Sequence, residues 1–549
     1  MKEFTQSFLE STSWWFNCKP EDDKYIVETY SELLYQEHSC PRPTCHHGIL
    51  KQILLFDQIP RHIERHNKDI GYKHIIDFYL FTKAYPLAKE YLKYEQCSNA
   101  IELCFILLPL RHTKNINDNF LAIQFVWTTL LEKRFQETHN LKMFLKASYK
   151  KSPSLNGYDA NTMIFKEKPT SIFHQAAFLD IKDIAHILDE RSFEEKCIMT
   201  PKKINEISLK MRKTMSDFLT SHNLRSNTIV VSLSGGVDSM VCSYVLSLLK
   251  RDFDLTIKYV HINYMNREYT LEEEVFLTKW CNWLGSDLYI RRLHEINRQH
   301  CIDFDMRDIY ELYTKNVRFD TYKYVCTSAK NTIPLIMLGH NEGDCFENIF
   351  TNIINQSHYE DLDGMLPIST INKVCLLRPL LQTSKNEIYD YARSKNIPFL
   401  MNSTPSWSQR GKIRDSIVPI LNAFNINAIP SILHLSKEVK EVYSMVTSFA
   451  AMYFSKFVET NPNEYSYMMN INDLQTSSIL WSGVLHHVNM RVSHKALTVL
   501  HLELEQFKER FSKLENRHVK RITVNKHTQI RVEKKQHSIC VVSILVVNL

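Results

Sequence analysis

Residues 228–250 read TIVVSLSGGVDSMVCSYVLSLLK. An apolar β-rich run, Thr228 to Leu233, passes directly into Ser234-Gly235-Gly236-Val237-Asp238-Ser239 and then into an amphipathic helix that continues to about Lys250. A strand that turns sharply into a helix aims unpaired N–H groups and the positive end of the helix dipole at one point in space, which suits an anion. Gly235 and Gly236 permit the turn and keep side chains away from an approaching phosphate. Ser234 and Ser239 add hydroxyl donors. Asp238 is a poor phosphate contact but a good Mg²⁺ ligand, so it is assigned to a metal that screens a triphosphate. There is no G-x-x-x-x-G-K-[ST] and no G-x-G-x-x-G, so this is neither a Walker loop nor a dinucleotide fingerprint.

Outward from the loop, strand-like runs alternate with helical ones: LTIKYVHINY, LEEEVFLTKWCNWL, DLYIRRL, PLIMLGH and DCFENIFTNII. The alternation predicts βαβ units around a parallel sheet. Residues from about 20 to 148 carry apolar positions at spacings of three and four and read as all helix. The stretch YKKSPSLNGYDAN reads as a linker, and helical pattern resumes near 180. After about 415 helices return, and KRITVNKHTQIRVEKKQHSICVVSILVV closes the chain as two or three strands. The expected fold is multidomain: a helical domain over 1–150, linker and helices over 151–225, an α/β parallel-sheet domain over 226–420, and an α+β tail over 421–549.

The 549 residues are 44% hydrophobic and 23% charged, ordinary for a folded chain of two to four domains. A net charge of +6 from 67 basic and 61 acidic residues does not demand a polyanionic partner. Local clustering matters more: Lys508, Arg510, Lys513, Arg517, Lys520, Arg521, Lys526, Arg531, Lys534 and Lys535 face only Glu509, Glu515 and Glu533. That run reads as a phosphate-holding patch or as a solvated basic surface. The 13 cysteines include no C-x-x-C pair. Together with Glu3 and Glu10 in the opening MKEFTQSFLE, and with no apolar run near the roughly 20 residues of a membrane span, they set the expectation of a cytoplasmic protein without a membrane partner. Cys40, Cys45, His46 and His47 lie close in sequence, but zinc would need a second ligand pair.

S-G-G-x-D-S between a strand and a helix resembles the signature of the ATP pyrophosphatase, or PP-loop, superfamily, an adenine nucleotide α hydrolase-like fold whose members cleave ATP to AMP and pyrophosphate and adenylate a carbonyl or carboxyl oxygen. By that resemblance Ser234, Gly235, Gly236, Val237, Asp238 and Ser239 bind ATP. Further segments are similar to the tRNA(Ile)-lysidine synthetases. Val260-His261-Ile262-Asn263-Tyr264 with Arg267 corresponds to their H-V-N-H-x-x-R, with Tyr264 in place of the second histidine; His261 is then a nucleotide contact or a half-buried strand residue. Arg318 in KNVRFDTY matches R-x-x-R-Y and would suit a phosphate of ATP or RNA. Leu338-Gly339-His340-Asn341-Glu342-Gly343-Asp344-Cys345-Phe346-Glu347-Asn348 matches a strand ending in A/G-H-H/N followed by D-D-x-x-E-T. Asp344 and Glu347 fall on its carboxylates, one helical turn apart, to hold Mg²⁺ or orient the nucleophile, while Gly343 and Asn348 depart from it. A helix-capping carboxylate is the other reading of Asp344. Leu377-Arg378-Pro379-Leu380-Leu381 and the segment from Asn402 to Arg414 resemble the closing R-P-L-L and R-N-R-I-R elements. Arg410, Lys412 and Arg414 are the basic positions expected to neutralise RNA phosphates, and Gly411 replaces asparagine.

The resemblance implies ATP and Mg²⁺, tRNA as partner, adenylation of a wobble cytidine and displacement of AMP by free lysine, with Asp238, Asp344, Glu347 and Arg318 at the reaction centre. A tRNA thiolase of the same superfamily, a small-molecule amidotransferase and a catalytically degenerate ATP- or RNA-binding protein are the rivals. In the helical amino-terminal part, Phe56-Asp57-Gln58-Ile59-Pro60-Arg61 and Leu107-Leu108-Pro109-Leu110-Arg111-His112 are similar to the D-Q-x-P-R-N and L-P-x-x-H signatures of an uncharacterised bacterial family with a tetratricopeptide-like fold. His62 and Arg111 depart from its asparagine and glutamate. That part is expected to dock a protein or RNA partner.

Overall fold

The computed structural model describes residues 2–546 apart from 12–13, 15–17, 68–71, 93–96, 114, 152–163, 170–178, 193–199, 328–332, 356, 358–361, 363, 402–408, 489 and 491. Most of the stretch YKKSPSLNGYDAN, residues 149–161, and residues 402–408 of the segment from Asn402 to Arg414 lie outside the described residues.

The amino-terminal part is helical, with Pro20–Glu37, His46–Asn67, Ala100–His112, Ile116–Leu131 and His139–Lys151 as its main members. Ala100–His112 is apolar around most of its circumference and buried from Leu103 to Leu110, as the central helix of a bundle must be. Asn99 caps it by accepting from the N–H groups of Ile101 and Glu102.

A seven-stranded sheet follows: β1 (Ile164–Glu167), β2 (Thr228–Ser232), β3 (Thr256–Asn263), β4 (Leu288–Arg292), β5 (Leu335–Met337), β6 (Ile368–Ile371) and β7 (Val374–Leu377), in the order β1-β4-β3-β2-β5-β7-β6. The five central strands are parallel, as the alternating pattern predicts, and β1 and β6 pair antiparallel at the edges. Side chains alternate across the sheet. Val230, Val260, Ile262 and Ile336 join the core shared with the amino-terminal helices and with helix Arg307–Cys326. Ile229, Val231, Ile257 and Tyr259 face helices Pro201–Ser221, Val237–Leu248, Thr270–Trp283 and Lys385–Ser394. The first core is continuous from bundle to sheet, and Tyr149 reinforces the junction by donating to the Glu295 carbonyl at 2.8 Å.

Strand order reverses direction at β2, since β3 lies on one side of it and β5 on the other. In open parallel sheets that is where a crevice opens beyond the carboxyl ends of the strands.

The carboxyl-terminal part carries a 27-residue helix, Ala428–Phe454, and a five-stranded antiparallel sheet. Three of its strands, β10 (Val519–Asn525), β11 (Thr528–Gln536) and β12 (Ile539–Val546), are the anticipated closing strands; β8 (Val458–Asn461) and β9 (Glu464–Asn470) form a hairpin the sequence reading missed. Much of the basic run over 508–535 is engaged internally. Lys534 is buried and donates to the carbonyls of Phe511 and Leu514, Arg531 and Lys535 pair with Glu533, and Lys520 pairs with Glu503.

Among the described residues no single helix is both long and apolar enough to cross a membrane; one pair, Gln409–Phe424 with Ala428–Phe454, meets length and composition only together and is bent by 98°.

Candidate functional site

The S-G-G-V-D-S turn lies at the carboxyl end of β2, on the wall of a cavity of about 550 Å³. Gly235 has φ +78°, a left-handed conformation that disfavours any Cβ, and a Cβ there would also run into Leu400, with Cγ at 2.8 Å. Leu400 is tied to the turn, since its N–H donates to the Gly235 carbonyl at 2.9 Å. The serines hold the loop's shape: the Ser234 N–H donates to Ser239 Oγ, the Gly236 N–H to Ser234 Oγ, and Ser239 Oγ–H to the Gly236 carbonyl. Gly339, at the end of β5, closes the far wall against this turn. A Cβ there would sit 2.8 Å from the backbone carbon of Asp238 and the backbone nitrogen of Ser239.

Asn341 links the two acidic elements. Its Nδ2 donates to Asp238 Oδ1 at 2.8 Å, its backbone N–H donates to Asp344 Oδ2 at 2.9 Å, and its Oδ1 accepts from the Gly343 N–H. Asp344 thus closes a capping box on helix Glu342–Ile354, as its second reading had it, and it also lines the cavity. Lys385, first residue of helix Lys385–Ser394, donates to Asp238 Oδ2 at 2.5 Å.

Arg410 and Arg414 reach back across the opening. Arg410 donates to Glu347 Oε2 at 2.7 Å and pairs with Asp344, while Arg414 donates to Glu347 Oε1 through Nη2 at 2.6 Å. Glu347 is 4% exposed, and its two partners compensate its buried charge. Burial alone would lower the Arg414 guanidinium, but Glu347 outweighs it and holds it above its ordinary range. Of the three cations expected to meet RNA, these two therefore contact the carboxylates in this structure, and Lys412 remains exposed.

Arg318 is half-buried on helix Arg307–Cys326 and lines the cavity together with Lys315, Tyr322 and Tyr264. His261 is not among the lining residues. It is buried, its Nδ1 lies 2.9 Å from the Leu233 carbonyl, and burial holds its imidazole below the ordinary range, so it braces the strand leading into the turn. Val237 is buried as the first residue of its helix.

Sequence reasoning left four basic lining residues without a role: Lys315, His340, Arg378 and Lys385. Arg378 is fixed by donating to the Leu366 carbonyl and Ser369 Oγ, and its Nε donates to His340 Nδ1 at 3.1 Å. Burial pulls His340 down to about 4 despite nearby Asp344. The imidazole is neutral at pH 7, and with Nδ1 accepting, Nε2 carries the proton. The available signals were the arginine of R-P-L-L and a lysine at a helix start.

Described lining cations are Lys315, Arg318, Arg378, Lys385, Arg410 and Arg414, against the carboxylates Asp238 and Asp344. A cavity with this excess of positive charge, next to a turn of backbone donors, suits a polyphosphate.

Comparison with known proteins matches separate parts of the chain to two families. Residues 206–421 match the family described as PP-loop domain, and residues 4–159 match one described as bacterial protein of unknown function (DUF924). Relatives named tRNA(Ile)-lysidine synthase include that of Clostridioides difficile (strain 630), 26% identical over 261 residues covering 45% of this chain and 54% of its own length. That of Staphylococcus aureus (strain MRSA252) is 27% identical, with 42% and 52% covered, and that of Malacoplasma penetrans (strain HF-2) is 24% identical, with 57% and 98% covered. The chain thus spans about half the length of the first two. Among solved structures, the U34-tRNA thiolase NcsA from Methanococcus maripaludis with its 4Fe-4S cluster is 17% identical, with a TM-score of 0.36, covering 43% of this chain and 80% of that one. Residues 206–421 of this chain are thus similar to the PP-loop family, and the helical segment ahead of them to a bacterial family of unknown function.

Proposed function

We propose that this protein binds ATP in the cavity at Ser234 to Ser239 and uses it to adenylate a tRNA base, the wobble cytidine, which free lysine then attacks with release of AMP. The observation that carries the reading is the conjunction of the glycine turn with six cations and two carboxylates around one cavity. The triphosphate would lie against the backbone N–H groups of the turn, with Lys315, Arg318 and Lys385 neutralising its charge. Such a site works by positioning partners and compensating charge, and needs no side-chain nucleophile. Arg410, Lys412 and Arg414 would meet RNA phosphates at the opening.

Mg²⁺ is held by one or two carboxylates plus substrate phosphates and water. Asp238 and Asp344 fit that role, being oxygen donors on separate elements bridged by Asn341. Bound there, the ion would screen the triphosphate, in competition with Lys385 and Arg410. Lysine is favoured over sulfur as the second nucleophile because no cysteine is among the described lining residues.

The test is mass spectrometry of nucleosides from tRNA incubated with the full chain, ATP, Mg²⁺ and lysine. A lysine adduct on cytidine that needs both ATP and lysine is expected. A sulfur adduct, or unmodified tRNA with ATP intact, would contradict the proposal.

A further inference from the structure

Far from the cavity, in the amino-terminal helices, three side chains converge. Cys18 precedes helix Pro20–Glu37, Asp23 lies in that helix's first turn, and His62 projects from helix His46–Asn67. Cys18 Sγ lies 3.4 Å from Asp23 Oδ1 and 3.8 Å from His62 Nδ1, and Nδ1 lies 2.7 Å from Asp23 Oδ1. Among the described residues this is the only group of three histidine, cysteine or acidic side chains whose ligand atoms all lie within 4.8 Å of one another. Cys40, Cys45, His46 and His47, adjacent in sequence, form no such group: the Cys40 thiol faces the Gln36 carbonyl, and His46 sits 3.4 Å from Glu102.

Hydrogen bonding alone leaves this cluster in conflict. His62 Nδ1 must donate to satisfy the Asp23 oxygen, yet it must accept to satisfy Arg65 Nη2, 2.6 Å away. One of the two contacts is repulsive in either tautomer. A cation at the centre removes the conflict, because sulfur, nitrogen and oxygen then all present lone pairs. Tetrahedral zinc, with bonds of about 2.3 Å to sulfur and about 2.0 Å to nitrogen or oxygen, sets its ligand atoms roughly 3.3–3.6 Å apart. Two of the three separations already match to within a few tenths of an ångström, and the third has only to open.

We propose that Cys18, Asp23 and His62 form a binding site for Zn²⁺ or a similar divalent transition ion, with a fourth position at which the Arg65 guanidinium now stands. Arg65 donates to Asp23, but its side chain is 45% exposed and has room to swing outward. The mixed sulfur, nitrogen and oxygen set selects against Ca²⁺ and Mg²⁺, which take oxygen ligands. Binding would clamp the segment ahead of residue 20 onto helix His46–Asn67.

The experiment titrates the metal-stripped full chain with Zn²⁺ against a chromophoric chelator, and with Co²⁺ by absorbance. Binding of about one ion per chain is expected, with a thiolate-to-cobalt charge-transfer band. Cys18→Ser should abolish the band, and His62→Asn should weaken binding at least tenfold. Arg65→Gln should tighten it, a gain that misfolding cannot produce. Affinity unchanged in Cys18→Ser and His62→Asn, or weakened in Arg65→Gln, would overturn the proposal.

Discussion

Gly235→Ala isolates the turn on which the nucleotide site rests. The residue has φ +78°, where an alanine costs about 1–2 kcal/mol. Its Cβ would collide with Leu400, a side chain 3% exposed and fixed through its own backbone bond to Gly235, and overpacking of this kind costs about 1–3 kcal/mol more. The strain can be relieved only by moving the turn or displacing Leu400. If the turn moves, ATP loses aligned N–H donors, and a shift of about 2 kcal/mol is a roughly 30-fold weaker Kd. The assay is isothermal titration of ATP into wild type, Gly235→Ala, Leu400→Ala and the double variant. Leu400 does not line the cavity, so Leu400→Ala alone should bind ATP nearly normally while melting earlier. The double variant should recover the collision part of the loss but not the φ part, leaving it about tenfold weaker than wild type. Gly235→Ala binding ATP within twofold of wild type would refute the reasoning, as would a double variant no better than the single.

Gly339→Ala places its Cβ against backbone rather than a movable side chain, so it should lose ATP binding with no second-site relief at Leu400, checked by the same titration. Lys385→Met removes the cation beside Asp238 and should weaken ATP binding on the order of tenfold, with a flatter salt dependence; unchanged affinity would remove Lys385 from the site. Arg414→Ala leaves Glu347 with one cationic partner and should lower the melting temperature modestly, since the arginine is 40% exposed, whereas exposed Lys412→Ala should leave melting unchanged and weaken tRNA binding mainly at low salt. Burial holds His112 down to about 4, even though Asp57 beside it pulls the other way, and Asp57 itself is held to about 2, its burial outweighed by His112 and Arg61. Both folded values lie below the unfolded ones, so stability is full above about pH 6.5 and falls as the solution is acidified from there toward pH 4, by about 1.4 kcal/mol per unit for His112 alone. Melting temperatures measured from pH 7.5 to 5 should show that decline, and a flat profile would contradict it.

The loop and the parallel sheet were legible because strand, glycine turn and helix each leave a local signature, and because buried parallel strands read as continuous apolar runs. β1 was not, since Ile164–Glu167 buries only its first residue and owes its conformation to pairing with β4. The β8–β9 hairpin escaped for a related reason: Val458–Asn461 is exposed throughout, and β9 is held by β12, some 70 residues later in the chain. At the site, the turn could be read from its own residues, and Asp344, Glu347 and Arg318 were named by the resemblance. What spacing could not reveal was pairing. That Arg410 and Arg414 close onto Glu347, that Lys385 meets Asp238, and that Arg378 sets the His340 tautomer depend on chain crossings that one sequence does not display.

The measurement that bears most directly on the central claim is the identity of the products formed from ATP labelled in its adenosine moiety, with and without tRNA and before lysine is added. Release of pyrophosphate, with the adenylyl group recovered on tRNA and lost when Asp238→Asn replaces the wild type, is the expected result. Formation of ADP and phosphate, or a rate indifferent to tRNA, would contradict it.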